Sequence, residues 1–353
     1  MKKYKIISPI IGVVLSIIGI VFAIISLAND KSDDKGGSIA LLVIVATLGV
    51  YFILMNVFGF IAAFKKDAKS DKVASLITSI LGILGNFVTP IILLLATAVL
   101  GALFTGLIAG MSGGAVKPDE TEIIETLIRV VLPVCILMFI LSVASIFGLV
   151  SSILALKGKT KILSISHPII RFLILLISAM VIGYGISAFI APSGSSSDGF
   201  IFVGIGLVFI SYSTIYKSCE DNASMNEENY LIPSLLKSLI LFTLAFAVAV
   251  PFAFYTNNFS QLGISVPLLQ FSIMFGAFGF IAYLVMSLFK KIWFIHTVGP
   301  AIASLLVLIG SILLLTSGQE SAINGLGIVS LLFSAFALVS SGLYVLFKKL
   351  SEN

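Results

Sequence analysis

Residues 73–116 read VASLITSILGILGNFVTPIILLLATAVLGALFTGLIAGMSGGAV and contain no Asp, Glu, Lys, Arg or His. A helix needs only about 20 apolar residues to cross the hydrocarbon core of a bilayer. A second stretch without these residues follows at 238–289. Charge-free stretches of this length predict an all-α, polytopic helical membrane protein, because a backbone in lipid must satisfy its hydrogen bonds internally.

The composition of the whole chain supports this prediction. Of the 353 residues, 59% are hydrophobic and 10% are charged, and the mean hydropathy is +1.19. Soluble domains average about 25% charged residues. The net charge of +5 does not indicate nucleic-acid binding, because the Lys residues lie in twos and threes at the ends of apolar stretches. We therefore predict that the chain's partner is a lipid bilayer and not a nucleic acid.

Charged residues divide the chain into about ten predicted transmembrane helices within a single integral membrane domain, residues 1–353. Their predicted ranges are 6–28, 39–64, 73–99, 127–156, 169–191, 200–216, 235–255, 267–289, 294–316 and 324–347. If successive spans alternate in direction, seventeen of the 21 Lys and Arg residues lie on one side and four on the other. By the positive-inside rule both termini are predicted to be cytoplasmic, and the protein to be a multi-pass protein of the cell membrane.

The first apolar stretch has two interpretations. It follows Lys2, Lys3 and Lys5, and it ends in Ser26-Leu27-Ala28, which is similar to a signal-peptidase site. Its length exceeds the roughly 7–15 residues of a signal-peptide apolar region. We interpret the stretch as a retained first span, and cleavage is the alternative.

Two weaker patterns concern the origin of the chain. Several inward spans close on Phe-Lys-Lys, as at 64–66, 289–291 and 347–349. Duplicated hairpins would produce this rhythm, and so would ordinary stop-transfer charges after lipid-embedded helices. Among the basic residues only Arg129 and Arg171 are Arg, a usage that we associate with a bacterial genome rich in A and T.

The motifs of membrane enzymes are missing or misplaced. The sequence has no H-E-x-x-H and no Walker-type motif. The acidic strings at 29–33 and 67–71 superficially resemble the aspartate-rich motifs of membrane prenyltransferases, whose carboxylates hold Mg²⁺. One predicted span separates the two strings, which places them on opposite faces of the membrane, about 30 Å apart. We therefore predict a protein that is not an enzyme and that uses no cofactor or metal.

Charged side chains are predicted only near the ends of spans. Each Lys and Arg lies within a few positions of a predicted span end, where its long side chain can extend to the interface. We therefore predict no ion pair at the centre of the bilayer, and we interpret His167 and His296 as interfacial residues. Coupling to protons or to an anionic solute is not expected, because it usually requires a charge within the membrane.

Few polar side chains lie inside the predicted spans. The candidates for an intramembrane path are Asn56, Asn86, Thr89, Gln270, Tyr283 and Asn324. Such residues either form interhelical hydrogen bonds, worth about 0.6 kcal/mol each, or line a path for a solute. Prolines within several predicted spans favour the second interpretation weakly, because discontinuous helices recur in transporters.

A stripe of small residues occupies the outer part of the opening stretch. It consists of Ala98, Ala102, Gly106 and Gly110 at four-residue spacing, which lets two helix backbones approach closely. We hypothesise that this helix pairs with the next one, which begins near Asp119, in a hairpin that extends beyond the outer surface. The alternative is a separate interfacial or re-entrant segment at 100–110.

The sequence leaves two functions open. The first is a permease, or the membrane subunit of a transporter, for a neutral or lipid-like solute and without ion coupling through buried charges. The alternative is a non-catalytic membrane scaffold, partner-binding or envelope-homeostasis protein. The segment 217–234, predicted to be cytoplasmic and rich in acidic residues, is the predicted contact for a cytoplasmic or membrane protein partner.

Overall fold

A computed structural model describes residues 6–30, 36–64, 132–159, 162–190, 196–223, 235–246, 295–316 and 321–352, with single helical positions at 73, 76, 77, 80, 249, 278 and 281. Almost all of these residues are helical. The helices are α1 (Ile7–Asn29), α2 (Gly36–Phe64), α3 (Leu132–Leu156), α4 (Leu163–Ile190), α5 (Ser196–Ala223), α6 (Leu235–Phe246), α7 (Ile295–Thr316) and α8 (Ser321–Glu352).

Among the described helices, four contain stretches that are long and apolar enough to cross a membrane. These stretches are Ile7–Asn29, Leu41–Ile61, Ile165–Ile186 and Gly199–Ser218. The all-helical membrane protein expected from the sequence is therefore confirmed at this level. The predicted spans near 73–99 and 267–289 lie largely outside the described residues, and the count of ten stays a prediction.

The structure extends two helices beyond the ranges inferred from hydropathy. Helix α4 begins at Leu163, where the sequence predicted a span from 169, and α5 covers Ser196–Ala223 instead of 200–216. The added turns contain polar residues, among them Ser166 and His167, that are buried inside the protein. The predicted ranges are too short because hydropathy detects only the apolar stretch of a helix. The helix itself continues through polar residues that pack against other parts of the protein.

Helix α1 turns its small residues inward and its large ones outward. Its buried positions are Ser8, Pro9, Gly12, Ser16, Gly19, Ala23 and Ser26. Its exposed positions include Ile10, Val14, Ile17, Val21 and Ile24. This distribution is typical of a helix in lipid, where large apolar side chains face the acyl chains and small residues permit close helix contact.

Helix α5 is at the centre of the described bundle. It packs against α1 on one side and α4 on another, α2 contacts both α1 and α5, and α3 packs on α4. Helix α6 joins this group through an apolar cluster shared with α4, which includes Leu175, Ala179, Leu241 and Leu244. Helix α8 pairs with α7 and contacts α6 through Phe333.

Side-chain contacts define the relative directions of the helices. Ser16 pairs with Ser211 and Phe22 with Phe200, so α1 and α5 are antiparallel. Asn56 bonds to Ser211 and Gly59 lies against Ser218, so α2 is parallel to α5. We call the end at which α1 and α4 begin, and α2, α3 and α5 end, the polar end.

The connection from α3 to α4 closes the polar end with a tight turn. Gly158 has φ +93, a left-handed conformation that favours glycine. The N–H of Gly158 donates to the carbonyl of Ala155 (3.0 Å), and that of Lys159 donates to the carbonyl of Leu154 (3.0 Å). This is a Schellman motif, which satisfies the last carbonyls of α3 and reverses the chain.

The predicted orientation places the polar end in the cytoplasm, and an impermeant thiol reagent can test it. In a chain whose Cys135 and Cys219 are replaced by Ser, we expect Lys159→Cys to be protected in intact cells and labelled after permeabilisation. Asn29→Cys, at the opposite end of α1, is the matched control and should be labelled in intact cells. Labelling of Lys159→Cys in intact cells would reverse the topology.

Candidate functional site

Asn56 is the centre of a hydrogen-bond network that joins three helices. It is fully buried on α2. Its Nδ2 donates to the carbonyl of Phe52 (2.9 Å) and to both the carbonyl (3.3 Å) and Oγ (3.2 Å) of Ser211 on α5. Its Oδ1 accepts from the hydroxyl of Thr214 (2.9 Å), and Ser16 of α1 donates to Ser211 Oγ (2.7 Å). We call Ser16, Asn56, Ser211 and Thr214 the Asn56 network.

Gly12 provides the space for this network. A Cβ atom at position 12 would collide with the Thr214 hydroxyl and with the Asn56 carboxamide. The absence of a side chain at Gly12 therefore lets the backbone of α1 approach the network closely. The Asn56 carboxamide both donates and accepts hydrogen bonds there. These hydrogen bonds fix the positions of α1, α2 and α5 relative to one another, so the role of the Asn56 network is structural.

A column of aromatic rings runs from the Asn56 network to the polar end. Phe52 of α2 stacks on Tyr212 of α5, with ring centroids 4.7 Å apart. The hydroxyls of Tyr212 and Tyr216 lie 3.3 Å apart, and the ring of Tyr216 meets that of His167 on α4 edge to face at 5.6 Å. The column thus links α2, α5 and α4 through side chains that are polar at one edge.

His167 is fully buried in this column. The interpretation of His167 as an interfacial residue is therefore wrong. The cause is the early start of α4, which places position 167 within the helix and against α5. His296 lies in α7, and its side chain is outside the described part of the chain.

Two cations are buried at the polar end. Arg171 is 4% exposed and Lys217 is 5% exposed. Arg171 lies six residues inside the apolar stretch Ile165–Ile186, or about 9 Å at 1.5 Å per residue. The expectation that cations near span ends extend outward is wrong for both residues, because each is almost fully buried within the protein.

Arg171 and Lys237 connect α6 to its neighbours at this end. The Arg171 Nη2 donates to the Ser238 hydroxyl (3.0 Å), which joins α4 to α6. The Lys237 Nζ lies 5.6 Å from the centroid of the Tyr344 ring on α8, a cation–π distance. The polar end therefore gathers the start of α6 and the last part of α8 beside α4.

Two buried hydroxyls lie near these cations in the sequence. The Oγ atoms of Ser166 and Ser218 make no hydrogen bond within the described residues. A buried hydroxyl without a partner costs about 1–3 kcal/mol, so natural proteins usually satisfy it with an ordered water or a ligand. The polar end thus combines positive charge with hydrogen-bond donors.

The structure places few of the residues that the sequence singled out. Asn56 lies in the network, and Asn324 lies in α8 with its side chain undescribed. The other path candidates and the small stripe lie outside the described residues: Asn86, Thr89, Gln270 and Tyr283, and Ala98, Ala102, Gly106 and Gly110.

A guanidinium and an ammonium group are buried at the polar end. Guanidinium and ammonium groups donate charge-assisted hydrogen bonds to carboxylates and phosphates. Within the described residues, no group of three His, Cys, Asp or Glu side chains could hold a metal ion. Sequence reasoning missed the buried cations because it measured their distance from span ends and not the face on which each one lies.

Comparisons of the chain with protein-family models, with curated proteins and with solved structures found no match.

Proposed function

We propose that the chain is a permease, or the membrane subunit of a transporter, for a lipid-like solute in the cell membrane. The observation that carries the proposal is the burial of Arg171 and Lys217 within the helix bundle. Ionisable groups inside membrane proteins are costly, and they commonly mark substrate pathways. The proposed protein is not an enzyme and uses no cofactor.

The distribution of apolar and polar side chains supports a lipid-like solute over a small water-soluble one. The outer faces of α1 and α2 are lined by large apolar side chains, among them Val14, Val43, Leu54 and Phe58. Polar groups lie inside and at one end. A solute with an apolar body and a polar head matches this division, because its body can stay in lipid while its head contacts the buried polar groups.

Reconstitution of the purified chain in vesicles tests the proposal. The vesicles contain a trace of phospholipid with a fluorescent group on its head, and dithionite quenches the fluorophores of the outer leaflet. We expect quenching to proceed beyond the outer leaflet in vesicles that contain the protein. A plateau identical to that of protein-free vesicles, with the chain shown to be folded, would reject the permease.

A second candidate function is a non-catalytic scaffold or envelope-homeostasis protein. The Asn56 network favours this function, because each of its four side chains bonds to a group of the protein. In this case a protein partner would bind through the predicted cytoplasmic segment 217–234, beyond its first seven residues, which form the end of α5. Unchanged lipid movement in the vesicle experiment would support the scaffold.

A further inference from the structure

The outward side of α3 carries a row of large apolar side chains. Each member of this row, which we call the α3 outer row, is 40% exposed or more: Val143, Ile146, Phe147, Val150 and Ile153. Intervals of three and four residues place these side chains on one side of the helix. Ser152 and Ala155 on the other side are fully buried, and α3 packs on α4. The α3 outer row therefore faces the acyl chains of the membrane.

Lys157 continues the α3 outer row. Its N–H donates to the carbonyl of Ile153 (3.2 Å), so the backbone keeps the helical hydrogen-bond pattern as far as position 157. Position 157 follows Val150 by seven residues and Ile153 by four, which places it in line with the row. A lysine side chain can extend from an apolar surface to the headgroup region. The α3 outer row therefore ends in a cation.

A second cation lies close to Lys157 in the turn between α3 and α4. Lys159 follows Gly158, and its N–H donates to the carbonyl of Leu154 (3.0 Å) within the Schellman motif. Both lysines are exposed, and neither ammonium group forms an ion pair within the described part of the chain. The motif fixes the backbone at both positions, so the turn presents two ammonium groups at the end of the α3 outer row.

We infer that the α3 outer row and the two lysines of the turn bind an anionic glycerophospholipid. Its acyl chain lies along the row, and its phosphate accepts charge-assisted hydrogen bonds from the ammonium groups of Lys157 and Lys159. Lysines near a membrane surface attract anionic lipids, whereas phosphatidylcholine carries a quaternary ammonium that they repel. The site lies on the outer surface of α3 and away from the buried cations. The inference therefore goes beyond the proposed function and does not depend on transport.

Photolabelling of the full chain in phosphatidylcholine nanodiscs tests the inference. The probe is a trace of phosphatidylglycerol with a diazirine in one acyl chain, and digestion with mass spectrometry locates the label. The exposed side of α1, which includes Val14 and Val21, is the internal reference. In the combined variant Lys157→Gln and Lys159→Gln, we expect the ratio of label on α3 to label on α1 to fall about tenfold, since two lysines are lost.

Three controls isolate the charge of the turn. Lys157→Arg combined with Lys159→Arg keeps both charges and should retain the label ratio within about twofold. Lys237→Gln removes a cation whose Nζ lies over the Tyr344 ring, so the ratio should also stay within about twofold. Phosphatidylcholine with the same diazirine chain should label α3 equally in the wild-type chain and in the combined Gln variant.

Two results would overturn the inference. The first is an unchanged phosphatidylglycerol ratio in the combined Gln variant, with its helical content shown to be intact by circular dichroism. The lysines would then serve only to orient the chain during insertion. The second is an equal fall for the phosphatidylcholine probe, because the change would then alter the surface of α3 and not the recognition of a negative charge.

Discussion

Replacement of Gly204 by Ala is expected to separate α1 from α5 and to lower the free energy of unfolding by about 1–3 kcal/mol. A Cβ atom at this position would lie 2.7 Å from the backbone oxygen of Gly19 and 3.3 Å from the Cβ of Phe22. A backbone oxygen cannot rotate away as a flexible side chain can, so the helices themselves must move. Titration of the folded protein with sodium dodecyl sulfate, followed by circular dichroism, measures the loss.

A Gly→Ala change at an open position distinguishes the steric clash at Gly204 from the effect of helix propensity. A Cβ atom added at Gly342 on α8 would meet no neighbouring atom within 4 Å among the described residues, so this position is open to a methyl group. Gly342→Ala should therefore be neutral or stabilising by up to about 1 kcal/mol, because Ala is the better helix former. If Gly204→Ala is also stabilising, the close contact between α1 and α5 is wrong.

Replacement of Asn56 by Leu is expected to be comparably destabilising, by about 1–3 kcal/mol. The change removes the carboxamide that bonds to Phe52, Ser211 and Thr214, and it leaves the buried Ser211 hydroxyl and the partly buried Thr214 hydroxyl with fewer partners. A single interhelical hydrogen bond in a membrane protein averages about 0.6 kcal/mol, so Thr214→Val should cost less. The same detergent titration measures the free energy of unfolding of both variants.

A hydroxyl on the outer face of the same helix supplies the control. Thr47 is exposed, and its Oγ1 donates to the carbonyl of Val43 in the same helix (2.7 Å). Thr47→Val should change the free energy of unfolding by less than about 0.5 kcal/mol. If Asn56→Leu costs no more than Thr47→Val, the network does not hold the three helices together.

The helical class of the fold was predictable because lipid imposes it. A chain with so few charges can satisfy its backbone in a membrane only by helices or a closed barrel. Hydropathy indicated where α1 and α2 lie along the chain, since their apolar stretches are uniform. It did not indicate the start of α4, because Ser166 and His167 lower the local hydropathy although protein covers them.

The candidate site was less predictable, because composition does not show which face of a helix is covered. The inward stripe of α1, which includes Gly12, Ser16 and Gly19, has the three- and four-residue spacing of a helix contact and could have been found from the sequence. The burial of Arg171 and Lys217 could not, because it depends on which helices surround them. Pairing between distant helices requires the three-dimensional structure.

The bond between Ser16 and Ser211 also has a consequence for synthesis of the chain. The two residues are 195 positions apart. Ribosomes add about 5–20 residues per second, so about 10–40 s pass between the appearance of the two residues. During that time the small, polar face of α1 lacks the helix that covers it in the finished protein. The insertion machinery must therefore keep α1 close to the growing chain until α5 enters the membrane.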